Sequence, residues 1–411
     1  MRWAVAIFAM AALTASPAAP DPCLENLPFG CSVVSADVVA GAQRDAIARR
    51  LGVPLRALSN TQLAVQGATV QVNILEAENG DDAKRLHAAI ARAKPHPAFC
   101  RRQENKVFEF CKAGADTAIK AAYEMGLVPK PARVIHRVEA RIATVQTADY
   151  MAFNELCGIF FAAGDRDGDA SVPARVRELS KGFTFGDSLT LRAPPGAESR
   201  FTPAPVRVAT QGADRVVFTF ASPPRRFDVP FVTLRADIAC DRSGLTPSDR
   251  AADAALLAAT PHWPVGDPDV VALARRMTAG RTTDDAKVRA ILEWLAPNRN
   301  IKSAGPAGSR WGVKKVLDQK FGHCWDSSDC FVTLARAAGV PCRQVGGWLF
   351  GTGGHIWAEV LVPGKGWQQV DPTGGGRLEC GIYHIAYFVT EDGEMPIVYT
   401  SLPRLEIVEA P

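Results

Sequence analysis

The sequence predicts a multidomain α+β protein, and three observations carry that reading. Hydrophobic residues recur with period two in some stretches and with the helical period in others. The pattern changes character twice along the chain, which divides it into three regions. Finally, 411 residues, 47% hydrophobic and 22% charged, supply core enough for two or three domains and exclude disorder, collagen and coiled coil. Charge adds little. The 47 Lys and Arg against 43 Asp and Glu leave +4, or +3 once Arg2 goes with a leader, and form no basic stripe for phosphate backbones. Nucleic acid is therefore not an expected partner.

Residues 1–20 read as a signal peptide: Arg2, the apolar run 3–15 (WAVAIFAMAALTA), then the small-residue and proline stretch 16–20. That run is too short to anchor in a bilayer, and no later stretch reaches the roughly 18 apolar residues of a membrane span. A secreted or periplasmic product with no membrane insertion after signal removal is expected. Ten cysteines then meet an oxidising compartment, where Cys23 with Cys31, Cys100 with Cys111 and Cys157 with Cys240 are candidate disulfides. Cys324, Cys330, Cys342 and Cys380 crowd into the last quarter.

Residues 23–145 read as a small α+β domain whose role is not legible. Stretches 69–75 (TVQVNIL) and 106–111 (KVFEFC) alternate, 81–93 and 115–125 have helical period, and a strand succeeds them over 133–144. Residues 146–241 turn to short apolar runs broken by Gly, Pro and Asp, which suits a β-sandwich-like module. Asp165, Asp167 and Asp169 have the alternation of a calcium loop, but Ala170 replaces the glycine and Val176 the bidentate Glu, so an acidic turn is expected. Residues 242–266 read as a linker by their Ser, Thr, Pro and Ala content. A last domain spans 267–411. Asp267 with Pro268 caps its first helix, and a second starts at Thr282 or Thr283 with Val288, Ile291, Leu292 and Leu295 on one face.

The chemistry concentrates in this domain. Residues 321–339 (FGHCWDSSDCFVTLARAAG) form a helix entered through Gly322 and closed by Gly339, with Cys324 in its first turn. Backbone N–H groups there lack intrahelical partners and the helix dipole is positive, which favours an anion such as a thiolate. Gly322 would let a substrate carbonyl approach, and the Cys324 N–H could donate to an oxyanion. From this segment alone, a half-cystine is an equal reading.

Two strands beyond the helix separate the two readings. Residues 355–362 (HIWAEVLV) alternate, with His355, Trp357 and Glu359 on one face, and 367–373 (WQQVDPT) return through a turn to Asp371. An imidazole can hold a thiolate and later protonate a leaving amine, and a carboxylate fixes its tautomer. The hairpin makes a demand. With Val362 opposite Trp367, Ala358 would face Asp371 and His355 would point away; a shift of one residue, expected at Gly366, puts Trp357 opposite Asp371 with His355 beside it.

The four ordered motifs G-x-C-W-D, R-A-A-G-V-P-C-R, H-x-W-A-E-V and G-W-x-x-V-D-P-T resemble the transglutaminase-like superfamily of papain-fold thiol enzymes over about residues 267–407. The resemblance implies a C-terminal papain-like catalytic domain behind a β domain, with Cys324 as nucleophile, His355 as acid-base partner and Asp371 as orienting carboxylate. It further implies a thioester route on a glutamine or peptide amide of a protein or peptide substrate, with transfer to an amine or to water. Cysteine peptidase or amidase chemistry is the alternative. Cys342, where the family usually has a small aliphatic residue, raises a disulfide with Cys380. The Cys324 N–H is a candidate oxyanion donor, with Trp311, Gln319 and Trp325 as candidates for a second, each also readable as a packing residue, and Trp325 and Trp357 are candidate substrate contacts; Glu359 is expected to be structural.

Two other readings remain. His323, Cys324, Cys330 and His355 could be a zinc site, but Cys324 and Cys330 face different directions on one helix, so no metal and no cofactor are expected. A noncatalytic binding or envelope-associated module would carry Cys324 in a bridge to Cys330, Cys342 or Cys380.

Overall fold

A computed structural model describes residues 31–65, 68–146, 171–192, 199–211, 215–226, 228–296, 300–305, 308–351, 353–374, 380–394, 397–399 and 404–409, with a few isolated positions besides. Residues 1–15 and 18–20 of the leader, Cys23, Cys157 and the acidic turn with Asp165, Asp167 and Asp169 lie outside the described residues. Met1–Lys130 and Pro131–Pro411 form two compact units. No helix among the described residues is long and apolar enough to cross a membrane.

In the first unit, strands Cys31–Val38, Leu55–Val65, Ala68–Ala77, Lys106–Cys111 and Cys100–Gln103 run antiparallel in that spatial order. Alternation divides the sheet's two faces. Val70, Val72, Ile74, Phe108 and Phe110 pack with helix Ala115–Glu124, while Leu75, Ala77 and Val107 pack with Leu86 and Ile90 of helix Gly80–Arg92. Asn79 caps the latter helix by accepting from the Asp81 and Asp82 N–H groups.

The second unit begins with strand Arg133–Gln146, which its sequence pattern alone assigns to the first domain. Its partner over ten residues is Val232–Asp241, and Arg404–Glu409 and Ile397–Tyr399 also pair with it. The boundary therefore falls near residue 130, because strand pairing and not sequence adjacency decides membership. A second sheet, Arg207–Gln211, Arg215–Thr219 and Ser188–Arg192, faces this one through Phe201 and Phe218, whose rings lie 4.6 Å apart. Both sheets are antiparallel.

The remaining sheet is antiparallel in the order Leu245–Pro247, Gly366–Val370, Gly353–Val362, Cys342–Leu349 and His384–Thr390. Helices Pro268–Thr278, Asp284–Leu295, Val313–Gln319 and Cys324–Ala337 pack with it. The N-caps are the expected Asp267 and Thr283, and Val288, Ile291, Leu292 and Leu295 are buried. The expected linker is not one. Leu245–Pro247 supplies an edge strand, and Trp263 is buried with its indole N–H donating to Asp329 at 2.9 Å.

Candidate active site

Cys324 opens the helix Cys324–Ala337 and is partly exposed, whereas Cys330 on the same helix is buried in the core. Asp326 holds the turn. Its Oδ2 accepts from the Ser309 hydroxyl at 2.7 Å and the His323 N–H at 3.2 Å, and its Oδ1 accepts from the Trp311 N–H at 2.7 Å. Burial raises the Asp326 pKa against these three hydrogen bonds. A β-carbon on Gly322 would lie 2.5 Å from that of Asp326. The missing side chain therefore makes room for this carboxylate.

The helix is pinned one turn further on. The buried Ser328 hydroxyl donates to the Trp357 carbonyl at 2.8 Å, and residues four apart share a helix face. The face bearing Cys324 is thereby fixed against strand Gly353–Val362, two residues from His355. Ser328→Ala is expected to cost about 1 to 3 kcal/mol of stability by denaturant unfolding and to slow turnover roughly tenfold through misalignment.

The hairpin carries the shifted register. Val362 pairs with Gly366, not Trp367, and Ala358 pairs with Val370, so the next pair sets Trp357 beside Asp371. Gly366 has φ +120°, and a β-carbon there would meet the Thr246 carbonyl oxygen at 2.2 Å on the neighbouring strand. Only glycine closes the loop at this point.

Asp371 is buried and satisfied on both oxygens. Oδ2 accepts from His355 Nε2 at 2.7 Å and from His384 Nε2 at 3.1 Å; Oδ1 accepts from the Thr373 N–H at 2.9 Å. Pro372 begins the short turn Pro372–Gly374 that aims this N–H back, which gives the D-P-T motif its local purpose. With Nε2 turned to Asp371, Nδ1 of His355 is left for the sulfur, and the Cys324 thiol lies near enough to help raise the His355 pKa. The His355 side chain is 11% exposed, so the sulfur and the imidazole meet at the edge of solvent.

The electrostatics are set by this geometry. Burial disfavours a charged imidazole, but the Asp371 carboxylate and then the Cys324 thiol outweigh it and push His355 up to about 10. Burial likewise opposes ionisation of Asp371, yet His355 and His384 hold it well below the usual carboxylate range.

His384 is the site residue that sequence reasoning misses. It opens strand His384–Thr390, all of whose residues are buried, beyond a glycine-rich stretch that breaks any pattern with Asp371. The one available signal is an ionisable residue at the head of an apolar run. Its ring and that of His355 also enclose Trp357, which stacks on His355 at 5.9 Å and 22°.

Of the other candidates, Trp325 and Trp357 are buried and form walls, not substrate contacts; Trp325 packs beneath the Arg310 guanidinium. Gln319 spends its amide N–H on the Phe321 carbonyl at 2.8 Å, so it is a poor oxyanion donor. Trp311 has its backbone on Asp326 and a buried indole N–H without a hydrogen-bond partner. Glu359 is buried between Arg192 and Arg343. Cys100, Cys111, Cys240, Cys324, Cys330, Cys342 and Cys380 are free thiols, so neither the Cys100–Cys111 nor the Cys342–Cys380 bridge is present. The candidate zinc ligands do not converge, since Cys330 packs in the core and His323 Nε2 meets the Gly305 carbonyl. Among the described residues His355, Asp371 and His384 lie close enough to hold a cation, but both Nε2 atoms are already turned onto Asp371.

Residues 271–372 match the transglutaminase-like superfamily. A protein-glutamine gamma-glutamyltransferase of Pseudomonas aeruginosa is 27% identical over 162 residues, 34% of this chain and 24% of that protein. YebA of Bacillus subtilis, an uncharacterized protein, is 27% identical over 125 residues, 25% of this chain and 17% of its own. The chain thus spans less than a quarter of the length of these curated relatives. The crystal structure of the periplasmic domain of TgpA from P. aeruginosa aligns over 59% of this chain and 88% of that domain, at 16% identity and a TM-score of 0.32. With its ordered Cys, His and Asp elements, the segment 271–372 belongs to the transglutaminase-like superfamily.

Proposed function

We propose that this protein is an exported acyl-transfer enzyme that attacks a glutamine side-chain amide through Cys324. The observation that carries the reading is the arrangement of the partly exposed Cys324 beside His355, whose Nε2 is held at 2.7 Å by the buried Asp371. The thiolate adds to the amide carbon, and the Cys324 N–H, with Trp311 as a second candidate, receives the oxyanion. His355 gives its proton to the departing ammonia, leaving a thioester on Cys324. An amine or water then attacks that carbonyl, returning a proton to His355 and releasing the thiolate. Asp371 keeps Nε2 protonated and Nδ1 directed at the sulfur, and His384 braces Asp371 from the far side. The relative's name, which specifies protein glutamine, supports the choice of amide. Export rests on Arg2 and the apolar run 3–15.

The test incubates the protein with a glutamine peptide and a fluorescent amine and monitors label and ammonia together. Label incorporation with equivalent ammonia is the expected result. Ammonia without label means that water is the acceptor, and backbone cleavage without ammonia would replace this reading by that of a peptidase.

A further inference from the structure

The turn that leads into strand His384–Thr390 is held by a different sheet. Residues 381–384 are closed by the His384 N–H on the Gly381 carbonyl at 3.0 Å, and Ile382, Tyr383 and His384 are buried. Three contacts dock this turn on the paired strands Arg133–Gln146 and Val232–Asp241. His136, fully buried, donates from Nε2 to the Ile382 carbonyl at 2.6 Å. The Cys240 thiol donates to the His384 carbonyl at 3.5 Å, and burial pushes its pKa up to about 12, so it keeps the proton that it donates. Gly381 lies against the backbone just past Asp241, where a β-carbon would meet the Arg242 carbonyl oxygen at 2.5 Å. The His136 ring also packs on Phe350 at 5.0 Å, and the Phe350 N–H donates to the Tyr383 carbonyl at 2.9 Å. The buried carbonyls of the turn are thereby satisfied from outside the five-stranded sheet that carries His355.

On its other side the turn presents His384 to the site. Nε2 donates to Asp371 at 3.1 Å, and the ring is set across those of Trp357, at 5.1 Å and 79°, and His355, at 5.9 Å and 60°. A carboxylate that accepts from two imidazoles is oriented by both, and an acid-base array tolerates little drift. We infer that His136 is a positioning residue: it fixes the 381–384 turn, the turn fixes His384, and His384 holds Asp371 in line with His355. A parallel brace runs from Arg192 of strand Ser188–Arg192 to Glu359 at 2.6 Å, on the strand that carries His355. The strands ahead of the five-stranded sheet thus grip both elements that converge on Asp371. The effect on turnover rests on the acyl-transfer reading; the effect on the alignment of His355 does not.

The test compares His136→Phe, which keeps a ring and removes the donor, with His136→Gln, which keeps an N–H for the Ile382 carbonyl. Proton NMR of the deshielded Nε2–H that His355 shares with Asp371 reads the alignment with no substrate present. That resonance is expected in wild type and His136→Gln, and broadened or lost in His136→Phe. With the glutamine peptide, kcat is expected to fall about tenfold in His136→Phe while KM stays within about twofold, and to recover most of the loss in His136→Gln. Should His136→Phe fail to fold, His136→Met fills the space with a flexible apolar chain and carries the same expectations. An unchanged resonance and kcat in a folded variant without the donor would overturn the inference, and so would equal losses in His136→Gln and His136→Phe, which would make shape and not the hydrogen bond the cause. A resonance lost in His136→Phe alongside a wild type that turns over no glutamine peptide would keep the positioning role and remove the acyl-transfer reading instead.

Discussion

Asp371→Asn is expected to lower kcat/KM for the amide substrate on the order of 10²- to 10⁴-fold, because an amide of the same shape can present its N–H to His355 and turn the ring to the wrong tautomer. The pH profile distinguishes this from loss of fold. The carboxylate is the leading influence raising His355 to about 10, so the basic limb of the wild-type profile should lie far above the ordinary imidazole value of 6.5 and fall towards it in the variant. Stability carries the same signature. His355 is raised, so its contribution is complete below 6.5 and is lost as pH rises towards about 10; Asp371 is depressed, so its contribution is present above 3.8 and is lost as pH falls. The pair favours the folded state most between those two ordinary values. Urea unfolding of wild type and Asp371→Asn across pH 3 to 10 should therefore diverge most in that window.

His355→Ala is expected to slow thioester formation by a factor on the order of 10² to 10⁴, since it removes both the proton donor for ammonia and the cation facing the sulfur. The folded state should survive, because Asp371 retains its bonds from His384 and the Thr373 N–H. Single-turnover mass spectrometry of the acyl-enzyme measures this directly. Acyl-enzyme forming at the wild-type rate would mean that another base serves Cys324.

The site is legible in the sequence where its chemistry is local. Helix punctuation around Cys324 and the alternation from His355 to Val362 are products of nearest-neighbour physics, and even the one-residue shift of the hairpin is a requirement that the alternation imposes on the turn. The features that stay hidden depend on distant pairing. Arg133–Gln146 has the look of any strand, and only its ladder to Val232–Asp241 assigns it to the second unit. His384 reaches Asp371 through strand pairing with Cys342–Leu349, which no spacing reports. The role of Gly322 depends on where the Asp326 carboxylate turns.

The most direct measurement is the rate of iodoacetamide labelling of each cysteine at pH 6 without reductant, resolved by peptide mass spectrometry. If His355 activates the sulfur as proposed, Cys324 should label alone, at least about tenfold faster than free cysteine, and lose that advantage in His355→Ala. If Cys324 takes up no label until reductant is added, or labels equally fast without His355, the pairing at the heart of the proposed chemistry does not exist.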